Sequence, residues 1–231
     1  MNSWYPLVGS LFVLTAIMNQ TSAQAAMIAE RLEQYGASAR ARWLPYFKQA
    51  KVAYPPQELV FVGLKEEKVL QVYAKSGTNG LCFVRSYPIL AASGGAGPKL
   101  REGDRQVPEG IYAIELLNPN SSYHLSLRVN YPNAFDREQA RKEQRTKLGG
   151  DIMIHGKAVS IGCLAMGDEA AEDLFILAAD TGLKSITVIL SPVDFRIGKT
   201  VSSDVKLPPW TTGLYQEIKT RLAELPLPKE K

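Results

Sequence analysis

From residue 59 to residue 190 the apolar residues come in short runs, and charge, glycine or proline closes each of them. Residues 59–62 (Leu-Val-Phe-Val) and 69–73 (Val-Leu-Gln-Val-Tyr) flank a charged turn at 65–68, the pattern of a β-hairpin. Residues 81–84 and 87–90 read as two further strands. Residues 123–129 alternate polar and apolar as a half-buried strand does, and 152–154 and 185–190 complete the series. Runs of this length suit strands of about 4–8 residues and fall short of the ~10–12 that a buried helix needs. Many short strands of this kind agree with a mostly β domain.

Helical spacing appears in few places. Residues 27–50 carry Leu32, Tyr35, Ala39, Trp43, Tyr46 and Phe47 on an approximate face, with a break expected near Gly36 and an end at Tyr54-Pro55-Pro56. We read this as a small attachment packed on the main domain. Ala170, Ala171, Leu174, Leu177 and Ala178 recur at helical spacing between a cap at Gly167-Asp168, with Glu169 in the first turn, and a stop at Gly182. Residues 208–225 place Leu214, Ile218, Leu222 and Leu225 on one side, as a helix covering the sheet would; a partner-binding helix is the alternative. Asn118-Pro119-Asn120 reads as a turn, and the polar stretch up to Lys147 as a helix or lid.

The start of the chain differs in composition. Residues 7–18 are almost wholly apolar, Ala23-Gln24-Ala25 fits a small-residue cleavage site, and no Lys or Arg precedes Arg31. We expect a signal peptide over residues 1–25 and export. An uncleaved membrane anchor is the alternative, although the run is shorter than the ~20 residues of a span. A net charge of +4 and a pI near 9.0 suit work beside polyanions such as wall or membrane surfaces. No basic stripe is interleaved with aromatics, so nucleic acid is not an expected partner. The glycine-rich run at 93–98 lacks the Lys-Ser/Thr ending of a phosphate loop.

Chemistry concentrates in residues 151–163, Asp-Ile-Met-Ile-His-Gly-Lys-Ala-Val-Ser-Ile-Gly-Cys. A strand over 152–154 would deliver His155 at its end, and Gly156 lets the backbone turn. An imidazole beside Cys163 can take the thiol proton, which matters because the thiolate is the nucleophile. The amides of Gly162 and Cys163 are candidates for an oxyanion hole. Three other readings stand beside this one: a Cys82–Cys163 disulfide, a metal site built from Cys82, His124, His155 and Cys163, and an interior histidine at position 155.

The residues His155, Gly156, Ser160, Gly162 and Cys163 resemble the catalytic signature of the L,D-transpeptidase (YkuD-type) family, a His-Gly pair followed by Ser-His-Gly-Cys. Ile161 stands where most members have a second histidine, and the connecting loop is short; both features are similar to the YafK-like branch. The Gly103-Asp104 and Pro108–Tyr112 run resembles the family's second marker, and the likeness covers roughly residues 55–200. It implies a mainly β fold with peripheral helices, a bent sheet or β-sandwich. The domain plan becomes a signal peptide at 1–25, a helical attachment at 26–54, a catalytic domain at 55–200 and a helical tail at 201–231.

The resemblance implies Cys163 as nucleophile and His155 as general base and acid, with the Gly156 backbone steadying the imidazole. Ser160 would brace the turn and Gly162 would supply an oxyanion amide. Lys99, Arg101, Arg105 and Tyr112 would contact substrate, and His124 would line the cleft in place of the missing histidine. The substrate implied is a peptidoglycan stem peptide containing diaminopimelate, with no metal or organic cofactor required. The thioester would pass to an amine, forming a cross-link or attaching a lipoprotein. A hydrolase releasing wall-bound lipoprotein and a non-catalytic wall-binding module are the alternatives. The implied location is the periplasm.

Overall fold

The structure, a computed structural model, describes residues 9–228, with side chains from residue 22 onward. The start of the expected leader, residues 1–8, lies outside the described residues. Its remainder continues into helix α1 (Gly9–Ala50), where Gln24 Nε2 donates to the Leu117 carbonyl at 3.2 Å. Among the described residues no helix is long and apolar enough to cross a membrane.

Eight strands follow: β1 (Glu58–Leu64), β2 (Val69–Lys75), β3 (Cys82–Pro88), β4 (Gly110–Ser121), β5 (His124–Val129), β6 (Met153–His155), β7 (Leu164–Ala165) and β8 (Ile186–Ser191). They lie in the order β3-β2-β1-β8-β4-β5-β6-β7. The β1–β8 and β6–β7 pairs are parallel and the others antiparallel. The long β4 joins the two halves: Gly110 to Ala113 pair with β8, while Ile114 to Ser121 pair with β5 through two register shifts. Shifts of this kind bend a strand, so the sheet turns at β4. With α2 (Ala134–Lys142), α3 (Asp168–Thr181) and α4 (Thr211–Ala223) around it, the fold is mainly β with peripheral helices.

Both faces of the sheet are covered. On one, α1 and α3 pack over Leu59, Phe61, Leu70, Val72, Leu125, Leu127 and Ile154. On the other, Leu214, Ile218, Leu222 and Leu225 of α4 and its end pack against Val60, Val62, Tyr73 and Ile189. The tail thus covers the sheet as its apolar spacing predicts.

Three local expectations are corrected. Helix α1 does not break at Gly36; a helical glycine costs about 1 kcal/mol relative to alanine, and the burial of Ala39, Trp43 and Phe47 outweighs it. Trp43 Nε1 donates to the Asp173 carbonyl, and Arg42 Nε meets the Asp173 carboxylate at 2.7 Å, so α1 is part of the core. The runs at 81–84 and 87–90 form one strand, β3, because a bulge opposite Val72 and Tyr73 absorbs the change of pattern. Asn118 to Asn120 lie within β4, and the chain reverses at 121–124 instead. The polar stretch before Lys147 does contain the expected helix, α2, which is seated on β4: Asn133 Nδ2 donates to the Ile111 carbonyl, and the Tyr112 hydroxyl donates to Asp136 Oδ1.

Candidate active site

Strands β6 and β7 pair in parallel, Ile154 with Leu164 and His155 with Ala165. Cys163 stands one residue before that pairing starts, so its thiol falls beside the beginning of β6. The Met153 amide donates to Sγ at 3.4 Å, and the thiol donates to the Asp151 carbonyl at 3.5 Å. His155 leaves the end of the same strand, about 6–7 Å further along the backbone. The turn and the strand end predicted from the sequence are thus brought to one short element, although the resting thiol is bonded to Asp151 and not to the imidazole.

The imidazole is almost fully buried, 2% exposed. Its Nδ1 lies 2.6 Å from the Gly156 carbonyl oxygen. A carbonyl only accepts, so that nitrogen carries the hydrogen and Nε2 is left as the basic atom. Burial lowers the affinity of the ring for a proton, and the Gly156 carbonyl offsets part of this. Burial pushes the Cys163 thiol the other way, up; the Met153 amide lowers it, nearby Asp151 raises it and Lys99 lowers it. Burial therefore favours the neutral form of each group, the thiol and the imidazole alike.

Gly156 has no room for a side chain: a Cβ there would lie 2.5 Å from Asp168 Oδ1 and 2.8 Å from the Tyr123 carbonyl oxygen. This close approach lets the β4–β5 turn reach the histidine. Gly162 adopts φ +94, a conformation that disfavours any residue with a Cβ.

Ser160 braces the turn twice, donating to the Cys163 carbonyl at 2.6 Å and accepting from the Cys163 amide at 2.9 Å. The Gly162 amide donates to Ser93 Oγ at 2.7 Å. The open pair of amides expected at Gly162 and Cys163 is consequently not free in this structure, because each N–H already serves a serine hydroxyl. Ser93 in turn donates to the Arg105 carbonyl at 2.7 Å, so the glycine-rich run links the turn before Cys163 to the loop at Arg105.

The residues expected to bind substrate have different fates. The Lys99 ammonium is buried and donates to the Arg101 carbonyl at 2.9 Å and to Asp104 Oδ1 at 2.7 Å. Arg101 and Arg105 have exposed side chains on the same loop. Tyr112 is buried, its hydroxyl donating to the Glu109 carbonyl and to Asp136, so it is a packing residue and does not contact the cleft. His124 is also drawn away: its Nε2 sits 3.0 Å from Glu172 Oε1, and its ring meets Tyr35 of α1 edge-on. Both cysteines are free, and Cys82 points its thiol at the Gly80 carbonyl. Among the described residues no three His, Cys, Asp or Glu side chains gather as a metal site.

Three residues at the site escaped the sequence-based reading. Ser93 lay in a run judged only as a failed phosphate loop. Tyr123 stacks on His155, with ring centroids 4.8 Å apart. Ser126 stands opposite His155 in the β5–β6 register and is fully buried, with no hydrogen-bond partner for its Oγ among the described residues. Only the neighbourhood of His124 in the sequence hinted at the second of these.

Residues 57–190 match the family model described as the L,D-transpeptidase catalytic domain, YkuD. YafK of Escherichia coli strain K12 and that of strain O157:H7 are each 37% identical over 131 residues, 56% of this chain and 49% of theirs. The chain thus spans about half the length of these relatives. Among solved structures, the helical cell shape determining protein Pgp2 from Campylobacter jejuni superposes with a TM-score of 0.49 at 23% identity, covering 61% of this chain and 50% of that one. Bdellovibrio bacteriovorus Bd1075 gives 0.44 at 21%, over 74% of this chain and 55% of that one.

Proposed function

This chain belongs to the YkuD family of L,D-transpeptidase catalytic domains, and from that membership we propose that it is a peptidoglycan-modifying cysteine acyltransferase acting on diaminopimelate-containing stem peptides. The observation that carries the reading is the thiol of Cys163 beside the start of the short strand that ends at His155, with Nδ1 of the imidazole tied to the Gly156 carbonyl.

In the proposed reaction the thiol turns from the Asp151 carbonyl to Nε2 as substrate binds, a tightening common between resting and complexed sites. The thiol proton passes to Nε2 while sulfur bonds to the carbonyl carbon at the L-centre of diaminopimelate. The carbonyl oxygen takes the negative charge. The Gly162 amide is the exchangeable donor for it, since its partner Ser93 comes from another loop whereas Ser160 braces Cys163 within the turn. Collapse breaks the C–N bond, the imidazolium returns its proton to the leaving amine, and a thioester remains. An amine of a second stem or of a lipoprotein then takes the acyl group and restores the thiol.

A hydrolytic outcome is the second reading, in which water replaces the amine and wall-bound lipoprotein is released. The short segment between His155 and Cys163, with Val159 59% and Ile161 75% exposed, supports it by leaving that side of the site open. We further propose that the protein works in the periplasm, reached through the apolar segment at its start.

Mass spectrometry after incubation with sacculi carrying bound lipoprotein, and with tetrapeptide muropeptides, tests both readings. Wild type is compared with Cys163→Ala. Exchanged or cross-linked products made by wild type alone support transfer, and free acid or released lipoprotein supports hydrolysis. Identical products from the two proteins would defeat both and favour a wall-binding module.

A further inference from the structure

Tyr123 occupies the turn between β4 and β5, and its ring plane is tilted 44° to that of His155. It is 44% exposed while His155, whose ring centroid is 4.8 Å away, is 2% exposed. Three contacts set its place. Its amide donates to Ser121 Oγ at 3.1 Å, and its carbonyl presses on Gly156, where no Cβ fits. Lys157 Nζ donates to the neighbouring Ser122 carbonyl at 2.6 Å and stands 5.6 Å from the Tyr123 ring centroid.

We propose that Tyr123 is a positioning residue for acyl transfer that acts through His155: its ring covers the imidazole, keeps water from it and holds it on the Gly156 carbonyl, with Nε2 left for the thiol. The inference rests on the reading of His155 as the base. Of the groups around the imidazole, Lys157 and Asp168 lie beyond Gly156, with the Lys157 amide donating to Asp168 Oδ1 at 2.8 Å. Cys163 lies across β6, Ser126 is the neutral neighbour on β5, and Glu172 of α3 faces His124 instead. The one hydrogen bond of the His155 ring among the described residues is to Gly156. With no ionic partner, the imidazole owes its resistance to protonation to burial, and Tyr123 supplies the exposed side of that cover.

The chain holds two histidines, so NMR titration of the full protein gives two imidazole signals, assigned with His124→Gln. In Tyr123→Ala the His155 midpoint should rise toward the ordinary value of about 6.5. The acid limb of kcat/KM on tetrapeptide muropeptides should rise with it, while Tyr123→Phe matches wild type in both. An unmoved midpoint in Tyr123→Ala overturns the proposal, as does a Tyr123→Phe variant that behaves like Tyr123→Ala. Should the alanine variant not fold, Tyr123→Leu fills the turn without covering the ring and carries the same expectation. The titration needs no substrate. A wild type without turnover on any stem peptide sinks the acyl-transfer reading, whereas the titration alone decides whether Tyr123 controls His155.

Discussion

At Cys163 and His155 one physical cause, burial, moves two titrations in opposite directions, and the consequences are measurable. The thiol is raised, so the pH midpoint for alkylation of Cys163 by iodoacetamide is expected above the ordinary cysteine value of about 8.5. Because burial favours the neutral form of both groups, His155→Ala should move that midpoint little; a large upward move would reveal an ion pair. Folding stability follows the imidazole with the opposite sign. Its folded pKa is depressed, so below the ordinary range the unfolded chain binds a proton that the folded chain resists, and stability falls as pH drops through about 6.5. Denaturant melts should show a smaller acid-side loss in His155→Asn. Ser160→Ala removes the hydroxyl that serves both the amide and the carbonyl of Cys163. We expect kcat/KM to fall about tenfold or more, roughly 1.4 kcal/mol of transition-state stabilisation, with recovery in Ser160→Thr.

Among the elements, α2 shows how a polar stretch becomes a fixed part of the fold. Asn133 caps it by accepting from the Asp136 amide at 3.0 Å, and Asp136 reaches back to the Asn133 amide at 2.9 Å. Replacing Asn133 by alanine should cost about 1 kcal/mol, read in a chemical melt. Burial pushes the Asp136 carboxyl up to about 6, against the Asn133 amide and the Tyr112 hydroxyl that favour its charge. A raised carboxyl keeps its proton in the folded state while the unfolded chain has released one. The wild type therefore loses stability as pH rises from about 4 to about 6. Asp136→Asn lacks this titration, so its stability relative to wild type should improve between melts at the two ends of that window.

On the scale of the whole molecule, the site depends on a sheet that is closed from both sides. Helix α1 inserts Trp43 and Phe47 fully into the core, and its Arg42 meets Asp173 of α3, the helix packed on the face of the sheet that carries Ile154. Trp43→Ala should cost about 3–5 kcal/mol in equilibrium unfolding; a loss below about 1 kcal/mol would mean that α1 adds little to the stability of the core. The β1–β2 hairpin, the covering helix α4 and the strand that ends at His155 were all readable, because local periodicity and turn chemistry decide them. The unbroken α1 and the single β3 were not readable, because long-range burial and a bulge overrode the local signal at Gly36 and at residues 81–90.

The sequence by itself, with the family resemblance its motif carries, determined the mainly β fold class, the strand that ends at His155 and the turn that Ser160 braces before Cys163, since these rest on residue types at short spacing. Tertiary structure decided the rest. It paired the Gly162 amide with Ser93, 69 positions away, turned His124 toward Glu172, buried Tyr112 in the core and laid Tyr123 over His155. Each of these contacts joins segments distant along the chain or reversed by a bulged turn. A hydrogen bond or a ring contact depends on ångström-scale approach, and it is the bend of the sheet at β4 and the register shifts beside it that set that approach.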